Sequence, residues 1–173
     1  PLALVLGIVI LTSLMASVEN ETNAWKQLIA LPVSKMAVYL SKLTVLLVLL
    51  FVASVLLLIF TLSFGMYLDL GDEMPYVSLI KFSFYPYLAA LPVLALHLWI
   101  ALVSRHQGIP VTMGVIGVIL TYMAYNLPNW MIWKWPALMQ EWAEPAMIIW
   151  LGIGCGLLLY VAGMVHFVRK DVS

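Results

Sequence analysis

Five stretches of this chain carry no Asp, Glu, Lys or Arg: residues 1–18, 43–68, 82–104, 107–133 and 145–168. A helix needs roughly 17–25 mostly apolar residues to cross a hydrocarbon layer about 30 Å thick, and all five reach that length. Their apolar residues are continuous rather than alternating, which favours helices over the strands of a barrel. The whole chain is 65% hydrophobic and 9% charged, with a mean hydropathy of +1.08. Soluble domains carry about a quarter charged residues. The expected fold is therefore an all-α integral membrane domain over residues 1–173, a polytopic bundle with spans at about 1–18, 43–64, 84–103, 110–127 and 146–166. The chain opens on Pro1 inside an apolar run, with no basic stretch or small-residue cleavage site before it. That predicts one further span ahead of it, and six in the full protein.

Lys and Arg choose the side of the membrane, because cytoplasmic loops are enriched in them. Lys26, Lys35 and Lys42 lie between the first two spans, Arg105 between the third and fourth, and Arg169 and Lys170 after the last. If all five runs cross, these six residues share one face, which is expected to be cytoplasmic and to hold the C-terminus. The other face carries Lys81 and Lys134 with Asp69, Asp72, Glu73, Glu141 and Glu144. The formal net charge is zero, so nothing points to nucleic acid. Cys155 is the single cysteine, which excludes an internal disulfide framework; it reads as a small packing residue.

The spans differ in texture. Pro86 and Pro92 predict a bend in the third. Gly108 and Pro110 mark a tight turn into the fourth, with Pro in the first helical turn. Gly152, Gly156 and Gly163 share one face of the last, where small residues let backbones approach closely. Residues 128–145, PNWMIWKWPALMQEWAEP, hold Trp130, Trp133, Trp135 and Trp142 and form an interfacial or re-entrant segment on the outer face. Two readings stay open there: an aromatic belt at headgroup level, or a lip that meets an amphiphilic substrate. His97 is the one ionisable side chain near mid-span. It is compatible with a hydrogen bond to a neighbouring helix or with a place in a substrate path, alongside Trp130, Trp133 and Trp135. His106 and His166 are expected to be solvated at the cytoplasmic edge.

Residues 21–35, ETNAWKQLIALPVSK, are too structured for a plain loop. Thr22 or Asn23 can cap a short helix, with Glu19 and Glu21 at its positive end. Trp25, Leu28, Ile29 and Pro32 then share one face, and Pro32 ends the helix. Ser34 can cap the next helix, which rises through Tyr39 and Lys42. Such an amphipathic helix can rest on lipid or dock into a groove of a cytoplasmic partner. Several chemistries are missing from the chain. There is no G-x-x-x-x-G-K-[ST] phosphate loop and no H-E-x-x-H. No aspartate pair lies within the spans, and no signature joins Ser13, Ser54 or Ser63 to His97 as nucleophile and base. Buried carboxylates, the usual relay of ion-coupled carriers, are absent from the spans.

The segment resembles the cytoplasmic loop of ABC-2-type permeases, the membrane subunits of one class of ATP-binding-cassette transporters. The matching residues are Glu19 and Glu21, the pair Trp25-Lys26, then Leu31-Pro32-Val33-Ser34-Lys35, then Tyr39 and Lys42. The closing HFVRKDVS, residues 166–173, is similar to the family's ending after its last helix. The resemblance covers nearly the whole chain as spans two to six of a six-span exporter fold. It implies that the segment, placed at 19–36, is a coupling helix set into the surface of a separate ATPase subunit. Trp25, Leu28, Ile29 and Leu31 would be its docking side chains, with Lys26, Pro32 and Lys35 in the same set. Glu19 and Glu21 would make polar contacts or cap it, and Arg105 would belong to a second, smaller contact. It further implies a homodimer or heterodimer of permeases in a bacterial cytoplasmic membrane. ATP and Mg would be used by the ATPase alone, and no cofactor would be bound by this chain, which would be no enzyme itself. The direction implied is export, and the most similar members serve peptide export or lantibiotic self-protection, a form of antimicrobial peptide resistance. A secondary carrier or channel, and a non-transporting scaffold or sensor subunit, are the alternative readings.

Overall fold

The computed structural model describes residues 1–21 (backbone alone for 19–21), 34–68, 75–104, 106 and 108–169. Among them there are helices and no strands: α1 Leu2–Glu21, α2 Lys35–Tyr67, α3 Tyr76–Ala89, α4 Leu91–Val103, α5 Gly108–Tyr122 and α6 Pro145–Arg169. Short 3-10 turns at Ala124–Asn126 and Trp135–Ala137 lie between α5 and α6. Three stretches are long and apolar enough to cross a bilayer: Lys35–Tyr67, Tyr76–Val103 and Pro145–Arg169. Leu2–Val18 and Gly108–Tyr122 are shorter apolar helices. This is an all-α membrane fold.

Helix α2 starts where its sequence allows. Ser34 is extended and its Oγ accepts a hydrogen bond from the Ala37 N–H at 3.2 Å, so one free donor of the first turn is satisfied. The helix then runs for 33 residues, about 50 Å at 1.5 Å per residue, which exceeds the hydrocarbon thickness. Its serine and threonine hydroxyls bond to the preceding turn: Thr44 to the Leu40 carbonyl, Ser54 to Leu50, Thr61 to Leu57 and Ser63 to Ile59. No water is needed for them, which suits a helix in lipid.

The bend predicted by Pro86 and Pro92 falls at Ala90, which closes α3 and precedes α4. Pro92 has no N–H and its ring crowds the Leu88 carbonyl, so the regular i to i−4 ladder fails there. The Ala90 N–H keeps its regular bond to the Pro86 carbonyl at 3.0 Å and shares it with the Tyr87 carbonyl at 3.2 Å, so the Pro92 bond to Leu88 is the one that is lost. The glycine face of α6 lies against this bend. A β-carbon on Gly152 would sit 2.9 Å from the Leu88 carbonyl oxygen, and one on Gly156 would sit 2.9 Å from Leu91 Cβ. Only hydrogens fit at these two positions, which lets α6 pack along α4 more extensively than any other pair of helices. A second close approach joins α1 to α5, where a β-carbon on Gly114 would overlap the Val9 side chain.

The core forms where these helices meet: Val5 and Ile8 of α1, Tyr39, Leu46 and Leu50 of α2, Val93, Leu94 and Leu98 of α4, and Phe167 of α6. A smaller cluster of Ala89, Trp135 and Ile148 includes Cys155 at its margin, the packing role its apolar setting predicts. Many large apolar side chains of α2 and α6 point away from the bundle, Phe60 and Leu158 among them, as lipid-facing surfaces require.

Candidate functional site

Two ends of the bundle differ in chemistry. At one, α2 begins and α4 and α6 end. Tyr39 of α2 is fully buried there, its ring 5.3 Å from Tyr160 and 5.6 Å from Phe167 of α6. Gly163 makes room for it: a β-carbon at that position would lie 2.5 Å from Tyr39 Oη and 2.9 Å from the Trp99 ring. Trp99 of α4 donates its indole N–H to His166 Nδ1 at 3.0 Å, with the two rings edge-on. His166, expected to be merely solvated, is thus tied to α4, although it stays exposed; His106 is exposed. Lys42, one turn beyond Tyr39, faces protein rather than headgroups, with 7% of its surface exposed. Lys35 and Arg169 also mark this end.

The segment 22–33 connects α1 to α2 at this end. Trp25, Lys26, Leu28, Ile29, Leu31 and Pro32 lie outside the described residues, as do Arg105 and the side chains of Glu19 and Glu21. What is described is the start of α2 just beyond it. Whatever moves the start of α2 moves Tyr39, and Tyr39 is wedged against α6 beside Trp99 of α4. Sequence reading had placed Tyr39 and Lys42 at the entrance to the span but not Trp99, Tyr160, Gly163 and Phe167 around them. Aromatic residues spread over 128 positions carry no local signal that they will meet.

Midway along α4, His97 is 2% exposed. It faces Gly117 of α5: a β-carbon there would lie 3.2 Å from His97 Nε2 and 2.6 Å from Trp133 Nε1. Both nitrogens are buried without a hydrogen-bond partner among the described residues. In a low-dielectric interior an unmet polar group costs about 1–3 kcal/mol. The pair therefore favours any polar atom that reaches Gly117. Nearby, Thr121 Oγ donates to the Gly117 carbonyl at 2.9 Å and lies 3.3 Å from that of Trp133.

Residues 123–144 reach this spot because they fold back into the protein at the opposite end. Lys134 is 6% exposed, with its ammonium donating to the Leu127 carbonyl at 2.9 Å. Trp135 is buried and donates its indole N–H to the Asn129 carbonyl at 3.0 Å. Trp133 is half-buried, while Trp130 and Trp142 are exposed. The four tryptophans thus divide: two turn into the bundle and two turn outward. Of the residues assigned to a substrate path, His97 and Trp133 come together, Trp135 serves the local fold and Trp130 stands apart. Gly117 and Thr121 were missed by sequence reading, because their small size matters only beside His97.

Residues 2–121 match the family described as ABC-2 family transporter protein, which covers well over half of the chain. No curated protein and no solved structure matches it. With its helical membrane bundle and matched length, the chain belongs to the ABC-2 transporter family, as a multi-pass membrane permease subunit.

Proposed function

We propose that this permease is an exporter driven by ATP hydrolysis in a separate ATPase subunit, and that residues 22–33 receive the motion of that subunit. The observation that carries the reading is the buried Tyr39 contact just inside this segment. A helix start wedged against α6 passes displacement on, because packed interiors are stiff. Residues 1–173 hold no phosphate-binding loop, so in this reading hydrolysis falls to the ATPase subunit. The basic residues Lys35 and Arg169 support a cytoplasmic assignment for this end and for the C-terminus, in a protein of the bacterial plasma membrane. Two permeases, identical or related, enclose the pathway. His97 and Trp133, beside Gly117, offer polar groups to a passing substrate, and an amphiphilic peptide, as in antimicrobial peptide resistance, suits their mix of indole and imidazole.

The test is purification of the full-length protein from its native membranes in mild detergent. A Walker-motif ATPase is expected to co-purify, and Trp25→Ala with Leu28→Ala is expected to lose it without loss of expression. An intact protein that brings no ATPase through several gentle detergents would support an ATP-independent carrier or a scaffold instead.

A further inference from the structure

At the end opposite Tyr39, α3 and the start of α6 border an open groove of about 590 Å³. That lies within the roughly 300–1,000 Å³ of small-ligand sites. Ser78, Lys81, Phe82 and Tyr85 line one side, and Leu138, Glu144 and Pro145 the other. An ammonium and a carboxylate thus line one groove, one from α3 and one from the residue before α6. Among the described residues no ion pair joins them. The hydroxyls of Ser78 and Tyr85 stand on the lysine side, each about one helical turn from Lys81 along α3. Phe82 is 60% exposed beside them, and Val77 and Ile80 also face outward from α3. The groove is therefore a mostly apolar cleft that carries one cation, one carboxylate and two hydroxyls, beside an exposed apolar surface. Its depth in the membrane is marked independently: Trp130 and Trp142 of the same folded-back segment are exposed, and tryptophan prefers the headgroup level.

We infer that this groove binds the headgroup of a zwitterionic phospholipid, with its phosphate against Lys81 and its ammonium against Glu144. The Ser78 and Tyr85 hydroxyls donate to the phosphate, and the acyl chains leave along Phe82 and Ile80. An anionic headgroup such as phosphatidylglycerol would satisfy Lys81 through its phosphate but bring only neutral hydroxyls, and no cation, to Glu144. A lipid without phosphate would satisfy neither. The inference depends on membrane embedding and not on the direction or energy source of transport.

Native mass spectrometry of the delipidated full-length protein tests it, with dioleoyl phosphatidylethanolamine, dioleoyl phosphatidylglycerol and dioleoylglycerol as probes at matched concentration. One phosphatidylethanolamine per chain is expected, held about tenfold more tightly than either rival, the scale of one charge-assisted hydrogen bond. Glu144→Gln should bring its affinity down to that of phosphatidylglycerol. Lys81→Gln should weaken both phospholipids, and the exchange Lys81→Glu with Glu144→Lys should restore the preference for phosphatidylethanolamine. Both side chains are exposed, so the variants should unfold at the same temperature as the parent. Equal retention of the three lipids, or a preference unchanged in Glu144→Gln, would overturn the assignment.

Discussion

Replacing Gly152 with alanine tests the packing of the bend against α6. The added methyl would lie 2.9 Å from the Leu88 carbonyl oxygen and 3.0 Å from Ala89 Cα. Favourable contacts of this kind begin near about 3.5 Å, so the shortfall is about half an ångström against two backbone atoms. Backbone cannot rotate away as a side-chain tip can. Forcing a methyl into such a site costs about 1–3 kcal/mol. Helix propensity works the other way and favours alanine by up to about 1 kcal/mol. Gly154 supplies the control, because a β-carbon there meets nothing within 4 Å. Gly154→Ala has the propensity gain alone, so the difference between the two variants isolates the steric term. It should be about 1–3 kcal/mol, or roughly 5- to 150-fold in the unfolding equilibrium. Reversible unfolding in bicelles reads that difference directly. Two alanine variants equal within about 0.5 kcal/mol would refute the close approach of α6 to the bend.

Other substitutions probe the remaining parts. Tyr39→Phe removes a hydroxyl that has no partner among the described residues, so stability should hold or rise slightly; Tyr39→Ala empties the wedge and should cost about 3–5 kcal/mol in the same unfolding assay. Trp99→Phe should lose the bond to His166, about 0.5–1.5 kcal/mol, and a cycle with His166→Ala should show the two changes to be non-additive. His97→Leu is similar in volume and should alter stability by less than about 1.5 kcal/mol, yet lower ATP-driven flux in proteoliposomes about tenfold or more. Unchanged flux in that variant would remove His97 from the pathway.

Much of the fold was legible as charge-free runs, because a bilayer penalises charge along the whole length of a helix. The bend at Ala90, the Ser34 cap and the glycine face also followed from local chemistry. Helix ends were harder, since charge is a poor marker of where a helix stops. Lys81 closes the apolar run, but it lies on an exposed face of α3, and the helix continues back to Tyr76. Lys42 likewise looks like a boundary, yet α2 begins seven residues earlier and turns that lysine inward. The span expected at 110–127 ends as an α-helix at Tyr122, after which the chain turns and folds back through Lys134 and Trp135. Nothing local announces that return, because its stability comes from side-chain bonds within the folded segment and burial against α3. The meeting of His97 with Gly117 and Trp133 is equally non-local. A histidine in an apolar run signals interest, but its neighbours depend on how three elements pack.

The most direct test of coupling is site-specific photocrosslinking in native membranes. A benzophenone amino acid placed at Trp25 is expected to form an adduct with an ATPase chain, whereas the same probe at Phe60, exposed on the lipid face of α2, is expected to give none. Adducts from Trp25 confined to lipid, with no ATPase captured at that position or at Leu28, would contradict the proposal that the segment docks into an ATP-hydrolysing partner.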